Sequence, residues 1–285
     1  MKSIKICVAA ITAGVVCIAA MLGILSAAIY AENESGNSFI GLMYHQVLKD
    51  ESRAGIYIIT PNELESDLAY LSESGYVSVL PSQLVKIREQ GGRLPEKTVV
   101  ITFDDGYETG LYYVLPLLKK YGMKAVINVV GSYTDEYSRI NEEGKHLSYA
   151  YLTWNEIKTL SDSGYVEIGN HTYDMHLNNG DRNGCARKEN ESDEQYRTVL
   201  YEDVDRLSDK LQQVTGKRPV AFAYPFGSLS EGSAEIIGSA GISVFMTCCE
   251  QPCSMNRNGR IVINRYNRES GRTAQQICEE FNNAF

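Results

Sequence analysis

No cluster of lysine or arginine stands out anywhere in the chain, and its 27 basic residues are outnumbered by 36 acidic ones, for a formal charge of −9. That balance excludes nucleic acid from the expected partners, because a nucleic-acid surface needs a basic stripe. Histidine is scarce too: His45, His146, His171 and His176 are all there are, and none follows His176. The paired C-x-x-C signature of structural zinc is missing, and "CCEQPC" at 248–253 has no histidine near it. A disulfide or plain free thiols are expected there instead. Five cysteines lie beyond the N-terminal segment (Cys185, Cys248, Cys249, Cys253 and Cys278), an odd number, so at least one stays unpaired within the chain. No internal repeat and no second composition regime appears. What is present, 285 residues with 44% hydrophobic and 22% charged, excludes a disordered chain and suffices for a full core.

Charge is also absent from residues 6–31, "ICVAAITAGVVCIAAMLGILSAAIYA", which follow Lys2 and Lys5 and end at Glu32. A run of 26 apolar and small residues is longer than a signal-peptide core and long enough to span a bilayer, with the lysines on the cytoplasmic side. The expectation is a signal anchor over 1–31, a polar linker over 32–38 and a single catalytic domain over 39–285 held outside the cytoplasm. Cleavage after "IYA", giving a secreted protein, is the alternative.

Beyond the linker, strand-like and helix-like segments alternate to the end. Strands are expected at 40–45, 77–80, 99–103, 125–130, 166–169, 220–224, 243–247 and 261–264. Capping boxes in "TPNE" (Thr60, Glu63) and "TWNE" (Thr153, Glu156) mark two helix starts. "YVLPLLKKYG", "EQYRTVLYEDVDRLSDKLQQVTG" and "TAQQICEEF" are amphipathic. Seven or eight strands alternating with helices argue for a parallel α/β sheet, and closure into a barrel leaves no exposed edge. Chemistry then belongs at the carboxyl ends of the strands. The polar residues fall there: His45 ends the first, Asp104 and Asp105 the third, His171 follows the fifth, and "YPFG" ends the sixth.

Two of the four histidines sit in "GNHTYDMH", and two imidazoles with one carboxylate can hold a metal while leaving positions open. Five-residue spacing alone is as compatible with a structural role. Beside a strand-end Asp-Asp-Gly it becomes a three-ligand site. A turn into Gly106 would let both acids face one pocket, Asp105 on a metal and Asp104 as the base beside it. A non-haem iron oxygenase uses a similar triad but gives no reason for the second acid.

"TFDDG" at 102–106, "HTYDMH" at 171–176 and "FAYPFG" at 222–227 resemble the ordered motifs of the polysaccharide deacetylases, metal-dependent enzymes that remove acetyl groups from glycans on a deformed (β/α) barrel. The resemblance covers roughly residues 39–285. It implies Asp104 as catalytic base, Asp105, His171 and His176 as ligands of one divalent metal, zinc being the expected ion, and the Phe226 backbone N–H as an oxyanion donor. The third motif departs from the family by carrying Ala223 where an arginine is usual, and Arg265, ending the last strand, is the candidate to orient Asp104 instead. The family's late acid histidine also has no counterpart. In the branch that de-N-acetylates poly-β-1,6-N-acetylglucosamine, a histidine at the start of the domain takes that place, and "LMYHQV" puts His45 there.

The expected function is thus a membrane-anchored N-deacetylase of an acetylated polysaccharide. Peptidoglycan N-deacetylase, acetylxylan-type esterase and an inactive glycan-binding homologue are the alternatives. His146 is expected at the surface, Trp154 in packing, and the polar loop 177–192 near the cleft.

Overall fold

The computed structural model describes residues 37–140, 146–180, 182–255 and 259–283. The expected anchor over 1–31 lies outside the described residues, and among these no helix is long and apolar enough to cross a membrane.

Twelve strands are formed in the described residues: β1 (Ser38–Tyr44), β2 (Gln46–Val47), β3 (Ile58–Ile59), β4 (Val77–Ser78), β5 (Thr98–Phe103), β6 (Ala125–Val129), β7 (Val166–Asn170), β8 (Ala221–Ala223), β9 (Val244–Met246), β10 (Cys253–Ser254), β11 (Ile261–Ile263) and β12 (Tyr266–Asn267). β1, β5, β6, β7, β8, β9 and β11 are neighbours in that order, and every one of those pairings is parallel. β5, "TVVITF", is buried at all six positions, as a strand covered on both faces must be. Its β-branched residues suit that environment better than a helix.

One continuous segment closes the ring. Its first half, β11, pairs with β9; its second half, β12, pairs with β1 through Leu42↔Tyr266 and Met43↔Asn267. The result is a deformed α/β barrel, its last strand divided between two neighbours. Gly41 is required at the seam, since a Cβ there would lie 2.3 Å from the Asn264 carbonyl oxygen. Below it, buried Arg268 donates Nε to Asp67 Oδ2 (2.7 Å), and the Tyr44 hydroxyl donates to the same oxygen (3.1 Å). The seam is thereby tied to the Pro61–Glu73 helix, on which Asp67 sits.

Both expected capping boxes form: Thr60 N donates to Glu63 Oε2 at 2.8 Å, and Thr153 N to Glu156 Oε2 at 2.7 Å. The long amphipathic segment is helical over Asp193–Thr215, with Tyr196, Leu200, Val204, Leu207 and Leu211 buried along one face. Strand ends differ from the sequence expectation by up to two residues. His45 lies just past β1 rather than inside it. The helix expected in "YVLPLLKKYG" begins as a widened π turn over Gly110–Val114 before Leu115–Tyr121. Pro116 has no N–H to return to the preceding turn, which accounts for the widening. Cys185, Cys248, Cys249, Cys253 and Cys278 are all free thiols.

Candidate metal centre and its cavity

β5 ends in Asp104, whose N–H still extends the ladder by donating to the Tyr44 carbonyl (2.9 Å). The next two residues turn left-handed, Asp105 at φ +70° and Gly106 at φ +72°. Adjacent strand residues ordinarily point to opposite faces, and this turn cancels the alternation. Both acids consequently line one cavity of about 580 Å³ at the carboxyl ends of the strands. A non-glycine residue held at positive φ is strained, and such strain clusters at functional sites.

Asp105 Oδ1 lies 3.5 Å from His171 Nε2 and 3.2 Å from His176 Nε2. The three ligand atoms fall within 4.8 Å of one another. Donors bound at about 2.0–2.2 Å to one tetrahedral ion stand roughly 3.3 Å apart, so the separations suit a single cation. The donor chemistry agrees. His171 donates Nδ1–H to the Ala223 carbonyl at 2.8 Å, which leaves the Nε2 lone pair facing Asp105. Burial works against the Asp105 charge, but the two histidines hold its carboxyl well below the usual range. Residues, spacing and tautomer together fit one divalent ion.

Ala223, where an arginine was missed in the sequence, supplies its backbone oxygen. The arginine itself comes from across the barrel. Arg265, fully buried between β11 and β12, places Nη1 2.7 Å from Asp104 Oδ1 and Nη2 2.8 Å from Oδ2. It is fixed in turn by Thr102 Oγ1 (3.1 Å) and the Thr247 carbonyl (3.0 Å). Asn128 Nδ2 gives Asp104 Oδ1 a further hydrogen bond at 2.7 Å. Burial alone would raise the Asp104 pKa, but the Arg265 guanidinium and the His171 imidazole bring it down to about 2.

His45 lines the same cavity, its ring edge-on to Tyr57 with centroids 4.9 Å apart. Burial lowers its pKa below the ordinary 6.5, against the pull of Asp105 and then Asp104. Phe226 sits at φ +58° in the "YPFG" turn, whose own hydrogen bonds use the amides of Gly227 and Ser228. Its half-exposed ring lies 4.6 Å from that of His176. Asn178, from the polar loop 177–192, reaches the cavity as well.

His146 is exposed and apart from the cavity lining. Trp154 donates Nε1–H to Asp135 Oδ1 at 2.8 Å and serves packing. Sequence reasoning missed Asn128 and Tyr107, which also line or support the site. A polar residue inside the otherwise apolar "AVINVV" was the available signal for Asn128.

A closed parallel α/β barrel that gathers two histidines and a carboxylate at its strand ends, beside a second carboxylate held by a buried arginine, defines a metal-dependent hydrolase. Among such hydrolases the chain belongs to the polysaccharide deacetylase family, whose model matches residues 91–245, a little over half of it. It is similar to the poly-β-1,6-N-acetyl-D-glucosamine N-deacetylase of Escherichia coli strain K12, 26% identical over 230 residues, which cover 74% of this chain and 34% of that protein. The chain thus spans about a third of that relative's length. The protein of the same name from Staphylococcus aureus strain MRSA252 is 23% identical over 78% of this chain and 76% of its own. Among solved structures, the de-N-acetylase from Aggregatibacter actinomycetemcomitans superposes with a TM-score of 0.72 at 25% identity, covering 85% of this chain and 99% of that one. IcaB from Ammonifex degensii gives 0.68 at 26% identity, over 86% and 97%.

Proposed function

We propose that the chain hydrolyses the N-acetyl groups of a neutral N-acetylglucosamine polymer of the β-1,6 type, releasing acetate. The observation that carries the proposal is the convergence of Asp105, His171 and His176 on one point beside the Asp104–Arg265 pair, in a cavity open at the strand ends. The names of the two relatives supply the polymer. The lining adds that no lysine or arginine faces the cavity among the described residues, so nothing there would neutralise an anionic glycan.

Asp105, His171 and His176 would hold one divalent ion, zinc in this proposal, which would supply a Lewis acid for the acetyl carbonyl and lower the pKa of a water molecule. Asp104 takes the proton of that water as the new C–O bond forms. Arg265 and Asn128 keep the carboxylate ionised and aimed, and among the described residues Asp104 Oδ2 accepts only from Arg265. The backbone N–H of Phe226 stabilises the negative carbonyl oxygen. His45 as imidazolium gives its proton to the amide nitrogen as the C–N bond breaks, so that acetate and a glucosamine leave. Residues 6–31 serve as the anchor that holds this domain outside the cytoplasm.

Acetate release from β-1,6-glucosamine, chitin and peptidoglycan oligomers, with zinc and with chelator, tests the proposal. Turnover of the first substrate that requires the ion supports it. Zinc-loaded protein that releases acetate from none of the three would overturn it.

A further inference from the structure

The loop that carries both histidines, residues 171–176, is tied to the Asp193–Thr215 helix through its backbone. Asp203 on that helix accepts the Tyr173 amide at Oδ1 (2.7 Å) and the Asp174 amide at Oδ2 (2.8 Å). These are the two central peptide N–H groups between His171 and His176. On one side of them Asn170 is tied to the helix, donating Nδ2 to the Val204 carbonyl (2.9 Å) and to Ser208 Oγ (3.0 Å). On the other side Met175 is buried in a cluster with Leu200 and Val204. Thr172, at φ +73°, is held in its strained conformation between these ties, its own amide bonded to Asn170 Oδ1 at 2.9 Å. Across the loop, Gly131 and Ser132 donate to the Thr172 and Tyr173 carbonyls, at 3.1 and 2.7 Å. No side chain fits at Gly131, where a Cβ would stand 2.4 Å from the Tyr173 ring.

Every amide from His171 to Asp174 therefore has an acceptor, and Asp203 alone provides two of them. A carboxylate receiving two backbone N–H groups makes stronger bonds than a neutral acceptor. We infer that Asp203 is the positioning residue of the metal centre: its carboxylate fixes the loop so that His176 meets Asp105 and His171 at one ion. Asp203 is not among the residues that line the cavity, and it acts through the backbone of residues 173 and 174. The inference rests on the metal-centre assignment made above.

The test measures equilibrium affinity for Zn²⁺ and for Co²⁺ by competition with a chelating dye, using the full chain. Wild type, Asp203→Ala, Asp203→Asn and the control Asp205→Ala are compared. Asp205 lies on the same helix and pairs with Arg218, away from the loop. Asp203→Ala is expected to bind both ions about 10- to 100-fold more weakly, the usual cost of removing a support one step behind a ligand. Asp203→Asn, nearly isosteric and able to keep one acceptor, should fall between, and Asp205→Ala should match wild type. The Co²⁺ absorption spectrum of Asp203→Ala should also change shape, since His176 would leave its place. If Asp203→Ala is too unstable to purify, the Asn variant decides. Unchanged affinity and spectrum in a folded Asp203 variant, whatever its melting temperature, would overturn the inference and leave the metal centre standing. Wild type that takes up neither ion would overturn the centre itself.

Discussion

Arg265 and Asp104 are 161 positions apart in the chain and meet as a two-pronged ion pair, Nη1 on Oδ1 and Nη2 on Oδ2, with both side chains buried. The pair can form only once the segment between β11 and β12 has closed the barrel against β1. It is therefore both a seam of the fold and the support of the proposed base. Lysine carries the charge but not the planar fork. Arg265→Lys should keep stoichiometric zinc while losing about 10- to 100-fold in kcat, with KM little changed. Steady-state kinetics with metal analysis on the same preparation checks it; loss of the ion would show that Arg265 supports the ligands instead.

The same pair makes a prediction about acid. Asp104 titrates at about 2 in the fold against an ordinary 3.8, so folding favours its ionised form. Its contribution, on the order of 2 kcal/mol, is full above pH 3.8 and is lost as pH falls towards 2. Denaturant titrations of wild type and Asp104→Asn should thus differ most near neutrality and converge below pH 3.8. A gap that stays constant down to pH 2 would mean that another acid governs the acid limb.

His45 is tested by comparing leaving groups. Amine expulsion needs a proton and aryl-acetate hydrolysis does not, so His45→Ala should depress amide turnover far more than ester turnover. In wild type the lowered pKa sets the pH profile: the imidazolium fraction declines as pH rises through a value below 6.5. The amide-to-ester rate ratio should therefore fall with rising pH, and in His45→Ala it should be flat. Parallel losses on both substrates would assign His45 to substrate placement.

Metal removal should cost stability as well as turnover, because an ion that binds only the folded chain adds RT ln(1 + [L]/Kd). With free zinc at a hundred times Kd that is about 2.7 kcal/mol. Chelator should lower the melting temperature of wild type and leave the His171→Ala/His176→Ala variant unmoved. A chelator shift that survives in the double variant would place the ion elsewhere.

Much of the barrel was legible because its strands are buried on both faces and read as short apolar runs between capping boxes. β2, β3, β10 and β12 were not, since two residues cannot show a period, and β4, equally short, was legible only as part of the longer apolar run 77–80. The acids and histidines could be read from motif and strand-end position, whereas their supports could not. The tie between Arg265 and Asp104 depends on barrel closure, which no local pattern encodes. Asp203 looks like any charge near the solvent face of an amphipathic helix, and nothing in its neighbours announces the two amides it receives. Ala223 is the reverse case: its side chain looked like a lost function, while its carbonyl oxygen orients His171.

The direction of β1 has a consequence for how a polymer would reach the enzyme. The chain enters the barrel at Ser38 and arrives at the cavity only after Tyr44, a rise of about 20 Å along the strand. The described chain therefore begins, at residue 37, at the base of the barrel, and the cavity opens at the far end. Were residues 6–31 seated in a bilayer, the base of the barrel would be the end joined to them in sequence, and the mouth the end farther from the lipid. A glycan strand would then be trimmed as it passes over the crown of the domain, not where it emerges from the lipid.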